Sequence, residues 1–120
     1  MATVLTQAGE EFIVDKLDET IASTLPDDVG SGTGAGTAAK ADTTLFTEVT
    51  EARAVATLSQ PAADKLRAVG TQTYTGTKTI TNAGNFTAPT VGTLIVHGDF
   101  AGIAVNNNDK IEFTIDLEIT

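Results

Sequence analysis

The C-terminal stretch constrains this chain more than any other feature. Ile111, Phe113, Ile115, Leu117 and Ile119 alternate with Lys110, Glu112, Thr114, Asp116 and Glu118. Successive side chains on a strand point to opposite faces, so the run predicts a half-buried antiparallel strand with one apolar and one charged face. A helix would scatter the same apolar residues around its circumference. One strand cannot stand alone: it needs a sheet, and the sheet's apolar face needs a second layer.

The preceding sequence supplies further strands. Asn106-Asn107-Asn108-Asp109 predicts a turn, because Asn and Asp tolerate left-handed backbone angles. Leu94, Ile95 and Val96 mark a strand over residues 93–100, and Gly102 leads into a short stretch at residues 103–105. Residues 71–81, rich in Thr, read as a hairpin with Gly76 near its bend. Asn82-Ala83-Gly84-Asn85 and Ala88-Pro89 read as the next connection. Weaker strands are expected at residues 48–58 and 65–74, joined around Gln60-Pro61. Six or seven short strands at turn spacings of roughly 8–12 residues predict a mainly β fold: an antiparallel β-sandwich or jelly-roll-like body.

The N-terminal region has a different period. Ile13, Leu17 and Ile21 recur every four residues, with Phe12 and Val14 beside them and Glu10, Glu11, Asp15, Asp18 and Glu19 interleaved. This predicts one amphipathic helix within residues 6–25, with Thr6 as N-cap and Pro26 as its stop. A lone helix of about 12–16 residues is marginal in water. Its apolar stripe must dock, on the protein's own sheet or on a neighbouring subunit, and Phe12, Ile13, Leu17 and Leu25 are the candidate interface residues. Between helix and strands runs Gly30-Ser31-Gly32-Thr33-Gly34-Ala35-Gly36-Thr37. It has neither the Gly-Lys-Ser/Thr ending of a phosphate loop nor a preceding apolar strand, so a flexible or irregular extended loop is expected. The organisation expected is thus one domain, with a helix or arm over residues 1–26, a Gly-rich loop over 27–43 and a β body over 44–120.

Charge and composition narrow the function. The 120 residues carry a formal charge of -9, which disfavours a nucleic-acid partner. No segment approaches the roughly 18 apolar residues of a membrane span, and residues 1–9 lack a secretory leader pattern, so no membrane partner and no secretion are expected. Without Cys, thiol catalysis and zinc ribbons are excluded. The single His97 is expected on a solvated strand face near Asp99. Asn106 to Asp109 with Glu112 lacks the central Gly of a calcium loop. The acids Asp15, Asp18, Glu19, Asp27 and Asp28 read as a solvated cluster, and Ser23, Ser31 and Ser59 lack a nucleophile signature. The expectation is no enzyme, with no catalytic, cofactor-binding or metal-binding residue and no cofactor.

Segment order carries a resemblance. The chain opens Leu5-Thr6-Gln7-Ala8-Gly9-Glu10-Glu11-Phe12-Ile13, continues through Gly32-Thr33-Gly34 and Ala38-Ala39-Lys40-Ala41-Asp42-Thr43-Thr44-Leu45, and later reads Ile80-Thr81-Asn82-Ala83-Gly84-Asn85-Phe86. Gly92-Thr93-Leu94, Gly98-Asp99-Phe100 and the final alternating strand close the series. In this order the motifs resemble a family of small virion structural proteins of tailed bacteriophages. The chain departs from that pattern at Asp28-Val29-Gly30-Ser31, where an aromatic often precedes the Gly-Thr-Gly stretch, and at Asn85, where Leu is usual.

The resemblance implies a capsid decoration, or cement, protein with a β-sandwich body. Its implied partners are the major capsid protein and copies of itself, as a trimer. Its implied location is the capsid exterior of the virion, after synthesis in the host cytoplasm. A tail-associated adaptor or fibre-attachment module is the alternative within the same virion. A carbohydrate-binding β-sandwich is a third reading, disfavoured by the absence of Trp and by Tyr74 being the only Tyr.

Overall fold

A computed structural model describes residues 1–18 and 24–119. The chain is mainly β, with two antiparallel sheets packed in a sandwich-like arrangement and one short helix near the N-terminus. The elements run β1 (Thr3–Leu5), α1 (Gln7–Leu17), β2 (Asp28–Gly32), β3 (Ala54–Val55), β4 (Thr57–Ala62), β5 (Lys65–Thr73), β6 (Lys78–Phe86), β7 (Leu94–Val105) and β8 (Lys110–Glu118). One sheet has five strands in the order β1-β7-β6-β2-β3; the other has three in the order β4-β5-β8.

The terminal alternation becomes β8, which pairs with β5 in unbroken register from Lys110↔Thr73 to Glu118↔Lys65. Phe113 is buried and Ile111, Ile115 and Leu117 are half-buried, while Ile119 falls just beyond the strand and is exposed. The main core lies between the sheets. Val29, Ile80, Ala83 and Val105 from the larger sheet meet Ala68 and Phe113 from the smaller one, with Tyr74 fully buried between them.

The connections at residues 74–77 and 106–109 both cross between sheets, which corrects the hairpin expected at Gly76. β5 and β6 belong to different sheets, and so do β7 and β8. The two crossings support each other. The Tyr74 N–H donates to the Asp109 carbonyl and the Asn108 N–H to the Tyr74 carbonyl, both at 2.8 Å. The Gly76 N–H donates to Asn107 Oδ1 and the Thr77 hydroxyl to Asn106 Oδ1. Left-handed backbone at Gly76 (φ 71°) and Asn108 (φ 72°) makes both bends.

Asn82-Ala83-Gly84-Asn85, expected as a connection, is the buried middle of β6. Asn82 accepts from the Phe46 N–H and donates to the Phe46 carbonyl, and Asn85 donates to the Pro26 carbonyl and accepts from the Val96 N–H. Buried amides with these partners escape the cost of desolvation. Likewise Gln60-Pro61 lies within β4, at a register shift on an edge strand where a missing N–H is tolerated.

The expected Gly-rich loop holds β2, a wholly buried strand between β6 and β3. Residues 33–47 then fold back across the far face of the larger sheet. Gly30 and Gly32 of β2, with Gly84 of β6, make this possible by leaving the sheet without side chains where the cover lies closest. A Cβ on Gly32 would sit 2.2 Å from the Phe46 carbonyl oxygen, and one on Gly84 would sit 2.6 Å from the Val96 carbonyl oxygen. Composition alone reads such a run as flexible, but the period-two spacing is that of a strand under a close-packed cover.

The helix is shorter than the periodicity predicts, ending at Leu17 with Asp18 as C-cap, while Thr6 is the N-cap and accepts from the Gly9 N–H. Glu19, Ile21 and Ser23 lie outside the described residues. Residues 1–18 are built into the body, because β1 pairs with β7 from Thr3↔Gly98 to Leu5↔Val96. The start of the expected arm is therefore an edge strand of the larger sheet.

Candidate functional surface

Three places on the molecule combine chemistry with position: the N-terminal helix, an apolar groove beside β8, and a polar cluster around His97.

The helix is fixed at its root. The Thr6 hydroxyl is buried against the Leu94 and Ile95 carbonyls, and the Thr6 N–H donates to the Ile95 carbonyl at 2.9 Å. Asp99 Oδ1 accepts from the Ala2 N–H at 3.0 Å and the Ala38 N–H at 2.8 Å, joining the N-terminus to the covering segment. Donation from Ala38 holds the Asp99 carboxyl below its ordinary range against the opposing effect of desolvation, with Ala2 and the N-terminal ammonium adding. Of the four residues expected at an interface, Phe12 points into the body, against Ile95 and Val96, and Ile13 is half-buried. Leu17 is 79% exposed and Leu25 50% exposed, and Val14 adds a third outward apolar side chain at 60%. Glu10, Glu11 and Asp15 share this surface, with Glu10 paired to Lys40 at 3.1 Å.

The groove follows from the unequal sheets. The smaller sheet stops at β8, leaving part of the larger sheet's inner face beside it uncovered. A concavity of about 300 Å³ results, lined by Thr3, Val96, Phe100, Ile103, Phe113 and Ile115 among others.

His97 is not solvated, which corrects the sequence expectation. Its side chain is fully buried, with Nδ1 2.7 Å from Asp42 Oδ2 and Nε2 3.0 Å from Asn82 Oδ1. Phe46 stands edge-on to the ring, its centroid 4.7 Å away. Asp99, the expected neighbour, binds backbone N–H groups instead. The physical reason is the covering segment: residues 33–47 bury the face of β7 that alternation alone would leave to water. Each ring nitrogen is engaged and the ring is shut off from solvent, so this cluster pins residues 38–46 to the sheet.

The remaining candidates also have structural partners. Ser31 is buried, bonded to Gln72 Oε1 and within 2.7 Å of the Tyr74 hydroxyl. Burial raises the Tyr74 hydroxyl above its ordinary value despite Ser31, with the Glu51 charge adding. Ser59 is exposed on the edge strand β4. Asn106, Asn107 and Asp109 spend side-chain oxygens on their own crossing, where Asp109 Oδ2 accepts from the Asn106 N–H at 2.7 Å. Among the described residues no group of three or more His, Asp or Glu side chains converges as a metal site, and no helix is long and apolar enough to cross a membrane.

Sequence reasoning missed β1, the cover over residues 33–47 and the groove. The alternating glycines were the available signal for the cover. The groove depends on the difference in strand number between sheets, for which no local pattern exists. No protein-family model matches the chain, and no curated protein matches it.

Proposed function

We propose that this protein is a capsid decoration protein of a tailed bacteriophage, binding the outer face of the major capsid lattice and holding neighbouring subunits together. The observation that carries the reading is the N-terminal segment. Its root is tied into the larger sheet through β1, Thr6 and Asp99, yet Val14, Leu17 and Leu25 face outward. Such side chains gain free energy when a partner covers them, at roughly 25 cal/mol per Å² of apolar surface removed from water. The resemblance of its motif order to that of small virion proteins supports the same assignment.

The mechanism is binding energy alone. A protein that contacts two capsid subunits at once favours the assembled shell over its dissociated parts by mass action, with no bond made or broken. A rigid root matters here, because an anchored helix loses less conformational freedom on docking than a free tail.

Particles stripped of this protein are the test. They should release DNA at lower temperature than intact particles, and added protein should restore the difference. A Val14→Ser/Leu17→Ser variant, altered only at exposed positions, should stay folded and be retained several-fold less by shells. Equal heat resistance with and without the protein would overturn the proposal. So would a count of only a handful of copies per particle, the stoichiometry of a tail adaptor, in place of hundreds.

A further inference from the structure

The four sheet edges are not alike. β1 has 3 residues, β3 has 2, and β4 is broken by a register shift next to Pro61. Short, broken or proline-bearing edges are how folded proteins avoid unwanted strand pairing. β8 has none of these protections. It runs 9 residues in unbroken register against β5, and among the described residues no strand pairs with its far side. The groove lies beside it, floored by the larger sheet's uncovered inner face. Phe100, Ile111 and Ile115 are only half-buried there, and Ile103 is 42% exposed. A further strand alongside β8 would complete the backbone pairing and roof these side chains.

We propose that the strand is β8 of a second copy, paired antiparallel across a two-fold axis at Phe113, so that the three-stranded sheets of two protomers become one of six. A two-fold interface brings the same patch together from both copies, and antiparallel pairing is the arrangement such an axis requires.

Charge favours a second copy as partner and separates this register from its two nearest alternatives. With Phe113 opposite its own copy, Ile111 faces Ile115 on the inner side. On the outer side Glu112 faces Thr114, and Lys110 faces Asp116, twice. Moving the axis one residue to Thr114 sets Glu112 against Asp116, and moving it to Glu112 sets that carboxylate against itself. Like charges directly opposite destabilise a strand pair, so the Phe113-centred register is the only one of the three without such a conflict. Lys110 is exposed and makes no ion pair within the protomer among the described residues. Asp116 is held ionised by bidentate donation from Arg67 at 2.8 and 3.0 Å, which lowers its pKa.

The natural chain has no cysteine, which makes the register directly testable. Sedimentation of the purified full chain should show a concentration-dependent dimer. Glu112→Cys and Thr114→Cys alter exposed positions only. Mixed under oxidation, the two variants should crosslink to each other, because those residues are opposite in the proposed register. Crosslinking of Thr114→Cys with itself, or of Glu112→Cys with itself, would instead report a shifted axis and overturn the proposal. Lys110→Glu should raise the dimer dissociation constant roughly tenfold as two attractions become repulsions. A chain that stays monomeric at high concentration, or forms a trimer without these crosslinks, would also overturn it. The experiment uses no capsid, so its outcome is independent of the decoration reading.

Discussion

Toward the smaller sheet, the five-stranded sheet presents Val29, Ile80, Ala83 and Val105; toward residues 33–47 it presents Gly30, Gly84, Asn82 and His97. Both faces are buried, but by different means. The inner face is held by apolar packing, which is non-directional and spread over many side chains. The outer face is bare of side chains at its glycines; there Leu45 of the covering segment packs in a small apolar cluster with Phe86 and Leu94, and the rest is pinned at polar points: His97 to Asp42, Asn82 to both polar groups of Phe46, and Asp99 to Ala38. A layer fixed by one three-residue apolar cluster and a few directional bonds has less to lose on opening than the inner core, so it should open first, whereas the inner core opens only with the whole fold.

The largest expected effect is on the apolar face. Ile80 is fully buried at the centre of the inter-sheet core, so Ile80→Ala should cost about 2–5 kcal/mol of global stability. Denaturant unfolding should show a lower midpoint with an unchanged slope, and amide exchange should rise across β5, β6 and β8 together. Asn82→Ala should cost less, about 1–3 kcal/mol, by leaving the Phe46 backbone groups and one side of His97 without partners. Its signature should be local, with faster exchange at residues 38–47 while β5 and β8 keep their protection. If instead both variants loosen both faces equally, the two layers form one cooperative unit and the contrast between them fails.

The same contrast explains what the sequence made legible. β8 was readable residue by residue because its alternation reports a single boundary, apolar core on one side and water on the other. The outer face reports no such boundary. Gly30, Gly32, Asn82, Gly84 and His97 are residues that composition assigns to turns and solvent, and all five are buried. They are buried by residues 33–47, which fold back over β2 and over the distant β6 and β7, a contact that leaves only the glycine spacing as a local trace. The candidate surface divides in the same way. The helix and Phe12 followed from local periodicity, but which of its apolar residues faced outward depended on where β1 and β7 placed its root. The open edge of β8 became visible only once the strands were counted into sheets.

Glu51 ties a third region, residues 48–53, to the crossing at Tyr74–Thr77 and to β6, and its effect is set apart by its dependence on pH. Its Oε2 accepts from the Thr75 N–H at 2.8 Å and from the Lys78 ammonium, while Oε1 is buried with no partner among the described residues. Desolvation works to raise the carboxyl, but Lys78 and the Thr75 N–H outweigh it and bring the pKa to about 2 from an ordinary 4.5. The folded state therefore favours the ionised form more than the unfolded chain does. That stabilisation is complete above pH 4.5 and is lost as pH falls toward about 2. Glu51→Gln keeps an acceptor for Thr75 and loses the charged pair with Lys78, so its cost at neutral pH should be about 1–3 kcal/mol. The sharper readout is the slope: between about pH 5 and 2 the variant should lose less stability than the natural protein, narrowing the gap between them. Asp28, whose carboxyl burial raises, contributes in the opposite sense and is common to both proteins, so it cancels in the difference. Parallel pH profiles for the two would show that Glu51 does not carry the acid response, and would return that role to the other paired carboxylates, Asp99 and Asp116.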